Sequence, residues 1–140
     1  MKVEPAKKSD YARVAELYRA LYSGRSGHGK RGFGPPKLLS TVLVARERIG
    51  IVGFVIATFT SYASSRFGYI EELFVDADHR HSGVGGMLVK SALEWETRNG
   101  ADVVFVTTEN EADFYVGIGF RYPKRNTWLR WTPGSATRQR

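Results

Sequence analysis

Three glycines and an arginine lie close together where a predicted strand meets a predicted helix. Residues 69–75 (YIEELFV) are rich in aromatic, aliphatic and β-branched side chains, which is typical of a strand. Arg80 follows, then three glycines within residues 83–86, and the apolar residues after them recur every three or four positions. The first helical turn has N–H groups without intrahelical partners, and glycine lets a large anion approach them. The pattern predicts a phosphate or pyrophosphate site at the start of this helix.

Two segments of the chain resemble one known family. Residues 80–85 (RHSGVG) resemble the R/Q-x-x-G-x-G/A pyrophosphate loop of the GNAT superfamily of N-acetyltransferases. The loop lacks the Gly-Lys pair of a Walker A loop and the G-x-G-x-x-G spacing of a dinucleotide site. Residues 114–120 (FYVGIGF) resemble the F-Y-x-x-x-G-F segment of the same family, at the expected separation of one helix and one strand. The resemblance covers residues 3–131 and is closest in pattern to small-amine and polyamine-type members.

The predicted elements place antiparallel strands first and a strand–helix–strand unit after them. Residues 39–46 and 51–60 are predicted to form a β-hairpin, and residues 103–106 a buried strand that returns parallel to residues 67–75. The fold class is therefore α/β, with an α+β mixed sheet. The resemblance implies the GNAT fold: a central, mostly antiparallel mixed sheet with a splayed parallel pair, and helices on both faces.

We predict a single N-acetyltransferase domain over residues 1–132 and a basic C-terminal tail over residues 133–140. A short edge strand is expected to begin at Val3, and a last strand is expected over residues 127–132. Residues 23–36 are rich in glycine and basic side chains and predict a long loop. Residues 23–36, 61–66 and 127–132 are expected to form the walls of an acceptor site.

The resemblance implies acetyl-CoA as the acyl donor and cosubstrate, with no metal. The backbone of Leu73, Phe74 and Val75 is expected to pair with the pantetheine arm, and an N–H near Val75 is expected to polarise the thioester carbonyl. The residues expected to bind the pyrophosphate are Arg80, His81, Ser82, Gly83, Val84, Gly85 and Gly86. Family members often carry an asparagine seven residues before the tyrosine. That position is Thr108 here and Asn110 lies five before, so either one is expected to contact the arm.

Tyr115 and Glu71 are the predicted catalytic residues. The resemblance implies that the Tyr115 hydroxyl protonates the departing CoA thiolate. Amine attack needs a neutral nucleophile, so a base must remove a proton, and Glu71 is preferred over Glu72 for this role or for binding the amine. Strand alternation predicts Glu71, Leu73 and Val75 on one face of the sheet and Glu72 on the other. A water chain as the route to the base is left open.

The composition limits the remaining function classes. The 140 residues carry a formal net charge of +7, which attracts polyanions such as acyl-CoA, nucleic acids and acidic peptides. No cysteine is present, which excludes thiolate nucleophiles and disulfides. No apolar run approaches the ~20 residues of a membrane span, so no membrane partner and a cytoplasmic location are expected. The sequence contains no recognisable nucleic-acid-binding motif, so no specific nucleic-acid partner is expected.

The sequence thus predicts an N-acetyltransferase that transfers the acetyl group of acetyl-CoA to a primary amine of a small molecule or peptide by direct attack. The alternative is a catalytically silent CoA-binding sensor with the same fold. The identity of the acceptor, the acyl-chain preference and the oligomeric state, including a homodimer, are left open.

Overall fold

The computed structural model describes residues 1–21, 34–124 and 129–134. They fall into two compact units, Met1–Glu109 and Asn110–Arg140. The α-helices and strands of the described residues are α1 (Tyr11–Leu21), β1 (Lys37–Glu47), β2 (Gly50–Tyr62), β3 (Ser65–Val75), α2 (Val84–Arg98), β4 (Val103–Val106) and α3 (Ala112–Ile118). The division into a domain at residues 1–132 and a tail stays a prediction.

The four strands form one mixed sheet in the order β1-β2-β3-β4. The pairs β1–β2 and β2–β3 are antiparallel, and β3–β4 is parallel. The predicted hairpin, the mostly antiparallel sheet and the parallel crossover are therefore confirmed. In β2, Val55, Ala57 and Phe59 are buried and alternate with half-buried residues, so one face of this central strand carries the core.

Helix α2 covers that core face. Leu88, Val89 and Ala92 recur along the helix and are buried. A side chain at Gly53 of β2 would lie 3.1 Å from Leu88 Cδ1, so glycine allows the helix to approach the sheet closely. Complete burial of a leucine or valine side chain contributes roughly 1.5–3 kcal/mol, and these contacts hold α2 on the sheet.

Helix α1 contacts the opposite face. The Tyr18 and Ser65 hydroxyls lie 3.0 Å apart, and the Tyr18 ring packs edge-on against Tyr62 at 6.4 Å between centroids. Tyr62 alternates with the core residue Phe59 along β2, so it points away from α2. The sheet therefore has helices on both faces, as predicted.

Two predicted terminal strands are absent from the described residues. Residues 1–7 are not in a strand, and neither are residues 129–132. A strand needs a neighbour to pair its backbone N–H and C=O groups, and neither segment pairs with another described strand. Residues 127–128, most of the predicted loop at 23–36 and most of the tail at 133–140 lie outside the described residues. Of the helices described, none has the length and hydropathy that crossing a bilayer requires.

Candidate functional site

The turn before α2 has the backbone shape of an anion site. His81 and Gly83 both adopt positive φ, +60° and +86°. α2 then begins at Val84, and the Gly83 carbonyl accepts the Met87 N–H at 3.1 Å. The Ser82 hydroxyl donates to the His79 carbonyl and braces the turn. Since the first helical N–H groups lack intrahelical partners and lie at the positive end of the helix dipole, this turn suits a phosphate group.

Arg80 joins this turn to the end of β3. Its Nε donates to the Val75 carbonyl at 3.0 Å, and its guanidinium lies 5.4 Å from the centre of the Phe74 ring. Both contacts hold the side chain beside β3. The remaining guanidinium N–H groups supply a fixed positive charge at the rim of the turn.

The end of β3 has an open edge on the β4 side. β4 pairs with β3 only from Phe67 to Ile70, and among the described strands none continues the pairing beyond that point. On the other side the Asp76 N–H donates to the Val52 carbonyl at 2.8 Å, so Val75 and its partner Gly53 form a pair without mutual hydrogen bonds. The N–H and C=O of Val75 therefore point away from β2.

The same orientation holds two residues earlier, at Leu73, which pairs with Val55. The N–H groups of both residues consequently face the edge that β4 leaves open. The pairing of β3 with β4 thus ends before Leu73 to Val75, whose backbone has the orientation that an extended ligand needs for pairing; the splay of the two strands stays a prediction.

The prediction that Glu71 shares a face with Leu73 and Val75 is wrong. The register of β2–β3 shifts between Ile56 and Ala57, so that Glu72 pairs with Ile56 and Glu71 is the extra residue of a β-bulge. Paired residues share a face, and Ile56 alternates with the core residue Val55. Glu72 therefore points away from α2.

Glu71 points to that same face. The Thr58 hydroxyl, on the face opposite α2, donates to Glu71 Oε1 at 2.7 Å. The bulge thus brings both carboxylates to one face, while Leu73 and Val75 remain on the core face.

Glu71 lies at one end of a groove on the face opposite α2. We call it the β1–β3 groove, and its volume is about 360 Å³. The residues that line it are Leu38, Leu39, Ser40, Thr58, Thr60, Phe67, Tyr69 and Glu71. The sequence identified Glu71 alone among these. The β2–β3 register places Thr58 opposite Tyr69 and beside Glu71, and no local sequence signal fixes that register.

The predicted site residues that follow β4 belong to two different compact units. Thr108 follows β4 in the first unit, and Asn110 begins the second. Tyr115 lies in α3 and is 7% exposed, with its ring 5.0 Å from Phe114 and 5.5 Å from Phe120.

The carbonyl of Tyr115 accepts the N–H groups of Gly119 and Phe120, at 3.2 and 3.0 Å. Gly119, at φ +124°, follows the last residue of the helix. Within the described residues, no cluster of three or more histidine, aspartate or glutamate side chains could hold a metal ion.

Comparisons with known proteins relate this chain to one family. Residues 39–122 match the acetyltransferase (GNAT) domain. The chain is 33% identical over 119 residues to the uncharacterised N-acetyltransferase YhfO of Bacillus subtilis (strain 168). The aligned residues cover 79% of this chain and 80% of that protein.

Two solved structures show the same fold. An integron cassette protein from the mobile metagenome of V. cholerae superposes with a TM-score of 0.63 at 19% identity, covering 98% of this chain and 95% of that one. An aminoglycoside acetyltransferase from an uncultured soil metagenomic sample gives 0.58 at 19% identity, covering 94% and 95%. The chain belongs to the GNAT family of N-acetyltransferases.

Proposed function

We propose that this N-acetyltransferase transfers an acetyl group from acetyl-CoA to a primary amine bound on the sheet face opposite α2. The observation that carries the proposal is the open edge of β3. There, the N–H groups of Leu73 and Val75 face away from β2, and Arg80 ties that edge to the glycine turn. An extended chain ending in a pyrophosphate fits such a combination of strand edge and helix start.

The residues that hold the acyl donor are assigned accordingly. The turn from Arg80 to Gly86 binds the pyrophosphate, and the backbone of Leu73 to Val75 pairs with the pantetheine arm. Thr108 or Asn110 contacts the arm. Acetyl-CoA supplies a thioester, whose acyl carbon is activated toward an amine. The Val75 N–H donates to the carbonyl oxygen, where negative charge develops during attack.

Proton transfer is assigned to two side chains. Glu71 takes the proton that the ammonium group must lose, and Thr58 fixes the carboxylate through their hydrogen bond. The amine nitrogen then bonds to the acyl carbon and releases its second proton to solvent, while the carbon–sulfur bond breaks. Tyr115, assigned by the family resemblance, gives its hydroxyl proton to the departing sulfur.

Paired glutamine variants test the base. Both carboxylates lie on the same face, so Glu71→Gln and Glu72→Gln are matched changes of charge. We expect Glu71→Gln to lower kcat/KM for the amine on the order of a hundredfold, and Glu72→Gln to lower it less than about threefold. Release of free CoA is the measurement. The reverse order would assign the base to Glu72.

Turnover itself is tested with the unmodified protein. Acetyl-CoA is mixed with panels of alkylamines, arylalkylamines, polyamines, aminoglycosides and peptides, and free CoA is measured. Binding of acetyl-CoA without CoA release on any panel would contradict the proposal and favour the silent sensor.

A further inference from the structure

The side chains that line the β1–β3 groove favour ligands of one chemical class. The lining contains two leucines, two aromatic rings, four hydroxyl groups including that of Tyr69, and one carboxylate, that of Glu71. Among the described residues that line it, none is basic. An acceptor with a phosphate or carboxylate would therefore find no cation in this groove to pair with its charge.

The two aromatic rings that line the groove pack against rings of the neighbouring strands. The rings of Phe67 and Tyr69 pack at 6.1 Å, and Phe105 of β4 lies 6.4 and 5.3 Å from them. Tyr62 packs edge-on against Phe67 at 6.0 Å. These ring contacts hold Phe67 and Tyr69 in place, so the exposed parts of the two rings form a surface for an apolar group.

The groove is polar at one end. Glu71, Tyr69 and Phe67 follow one another on the same face of β3, spaced by roughly 7 Å for each pair of residues. Glu71 is the first residue beyond the β3–β4 pairing, next to the open edge at Leu73. An ammonium group at Glu71 would thus lie beside the expected thioester, with the rest of the acceptor over the rings.

We propose that the β1–β3 groove binds the acceptor, and that the acceptor is a primary amine with a single positive charge on an apolar, ring-bearing body, the arylalkylamine class. This inference rests on the proposed function and specifies its substrate. A polyamine or aminoglycoside would place additional ammonium groups against Leu38, Phe67 and Tyr69. Since the described lining of the groove holds no second carboxylate, these ammonium groups would lose contacts with water without gaining an ion pair. Glu72 faces the same side but does not line the groove.

Four amines test this assignment: 2-phenylethylamine, putrescine, spermidine and glucosamine-6-phosphate. We expect kcat/KM for 2-phenylethylamine to exceed that of each of the others by about tenfold or more, a difference of ~1.4 kcal/mol. Higher kcat/KM for spermidine or for the phosphorylated sugar would overturn the assignment.

Calorimetric binding of 2-phenylethylamine separates this inference from the proposed function. If 2-phenylethylamine binds, binds more weakly to Glu71→Gln, and yet causes no CoA release, the proposed acetyl transfer is contradicted and the groove assignment is supported. If spermidine causes CoA release and 2-phenylethylamine does not bind, the groove assignment is contradicted and the proposed acetyl transfer is supported.

An added carboxylate tests the charge argument by gain of function. Ser40→Glu puts a second carboxylate in the groove, and we expect it to raise kcat/KM for putrescine relative to 2-phenylethylamine by about tenfold. Val44→Glu is the matched control, because Val44 is exposed on the same strand and face but does not line the groove. An equal shift in both variants, or none in Ser40→Glu, would contradict the assignment.

Discussion

At the scale of single residues, Glu96 is the most unusual side chain outside the candidate site. It is fully buried between α2 and the sheet, and neither of its carboxylate oxygens has a hydrogen-bond partner among the described residues. It fits there because β3 carries Gly68, where an added Cβ would clash with Glu96 Oε2. The nearby Arg66 has its Nε 3.9 Å from Asp102 instead. Burial raises the pKa of Glu96 from 4.5 to about 7.

This burial makes stability depend on pH. Between pH 4.5 and about 7 the unfolded chain has lost the Glu96 proton while the folded chain keeps it. The folded state then binds more protons, so the free energy of unfolding falls as pH rises through this window, by roughly 3 kcal/mol in total. Urea unfolding at about pH 5 and about pH 8 measures the fall. Glu96→Gln keeps the shape of the side chain without the charge and should reduce this fall in the free energy of unfolding. Identical pH dependence in both proteins would refute the assignment of the fall to Glu96.

Tyr115 is a residue whose role can be tested without disturbing its packing. Tyr115→Phe keeps the ring that contacts Phe114 and Phe120 and removes only the hydroxyl. We expect kcat to fall by about 10- to 100-fold, because the departing thiolate loses its proton donor, with little change in the Kd of acetyl-CoA. Tyr122→Phe, at an exposed position, is the control and should retain full turnover. An equal loss of affinity and rate would make Tyr115 a binding residue.

At the scale of elements, α2 connects the candidate site to the core. Its first turn follows the glycine turn, and its Leu88, Val89 and Ala92 pack on the sheet. Glycines with positive φ flank both of its ends, Gly83 at +86° and Gly100 at +94°. Neither has an atom within 3.4 Å of an added Cβ, so at both sites a side chain would act through backbone strain.

These two glycines form a matched pair for testing the anion site. Gly83→Ala and Gly100→Ala should each destabilise the fold by about 1–2 kcal/mol, because alanine is disfavoured at positive φ. Only Gly83→Ala should also weaken acetyl-CoA binding, by about tenfold or more, since it alone alters the turn that presents the N–H groups. Calorimetry with acetyl-CoA and thermal unfolding measure the two effects. Equal affinities in the two variants would place the pyrophosphate elsewhere.

At the scale of the whole molecule, the net charge of +7 should assist the polyanionic donor. We expect KM for acetyl-CoA to rise severalfold between about 50 mM and about 200 mM salt, because salt screens this attraction. S-acetylpantetheine, which lacks the phosphates, is the control donor, and its KM should stay constant. The same salt dependence for both donors would show that the charge acts on something other than the phosphates.

Features that depend on neighbouring residues could be predicted from the chain alone. The hairpin, the helix after the glycine turn and the family follow from periodicity, turn residues and short motifs. These signals are local, because helix starts and tight turns involve residues close together in the chain. The strands predicted near the two ends of the chain, at Val3 and over 127–132, lack a partner strand among the described residues. The sequence of one segment does not show which strand it would pair with.

The contacts between side chains of different strands depend on the tertiary structure. The bulge at Glu71 separates this residue from the face of Leu73 and Val75, and the β2–β3 register brings Thr58 to it. The open edge at Leu73 to Val75 depends on where β4 stops, and the burial of Glu96 depends on Gly68 of a different element. Since side chains alternate with a period of two, one extra residue in a strand moves the residues after it to the other face. Glu71 therefore stays on the face of Tyr69 in the groove, whereas Leu73 and Val75 face the core.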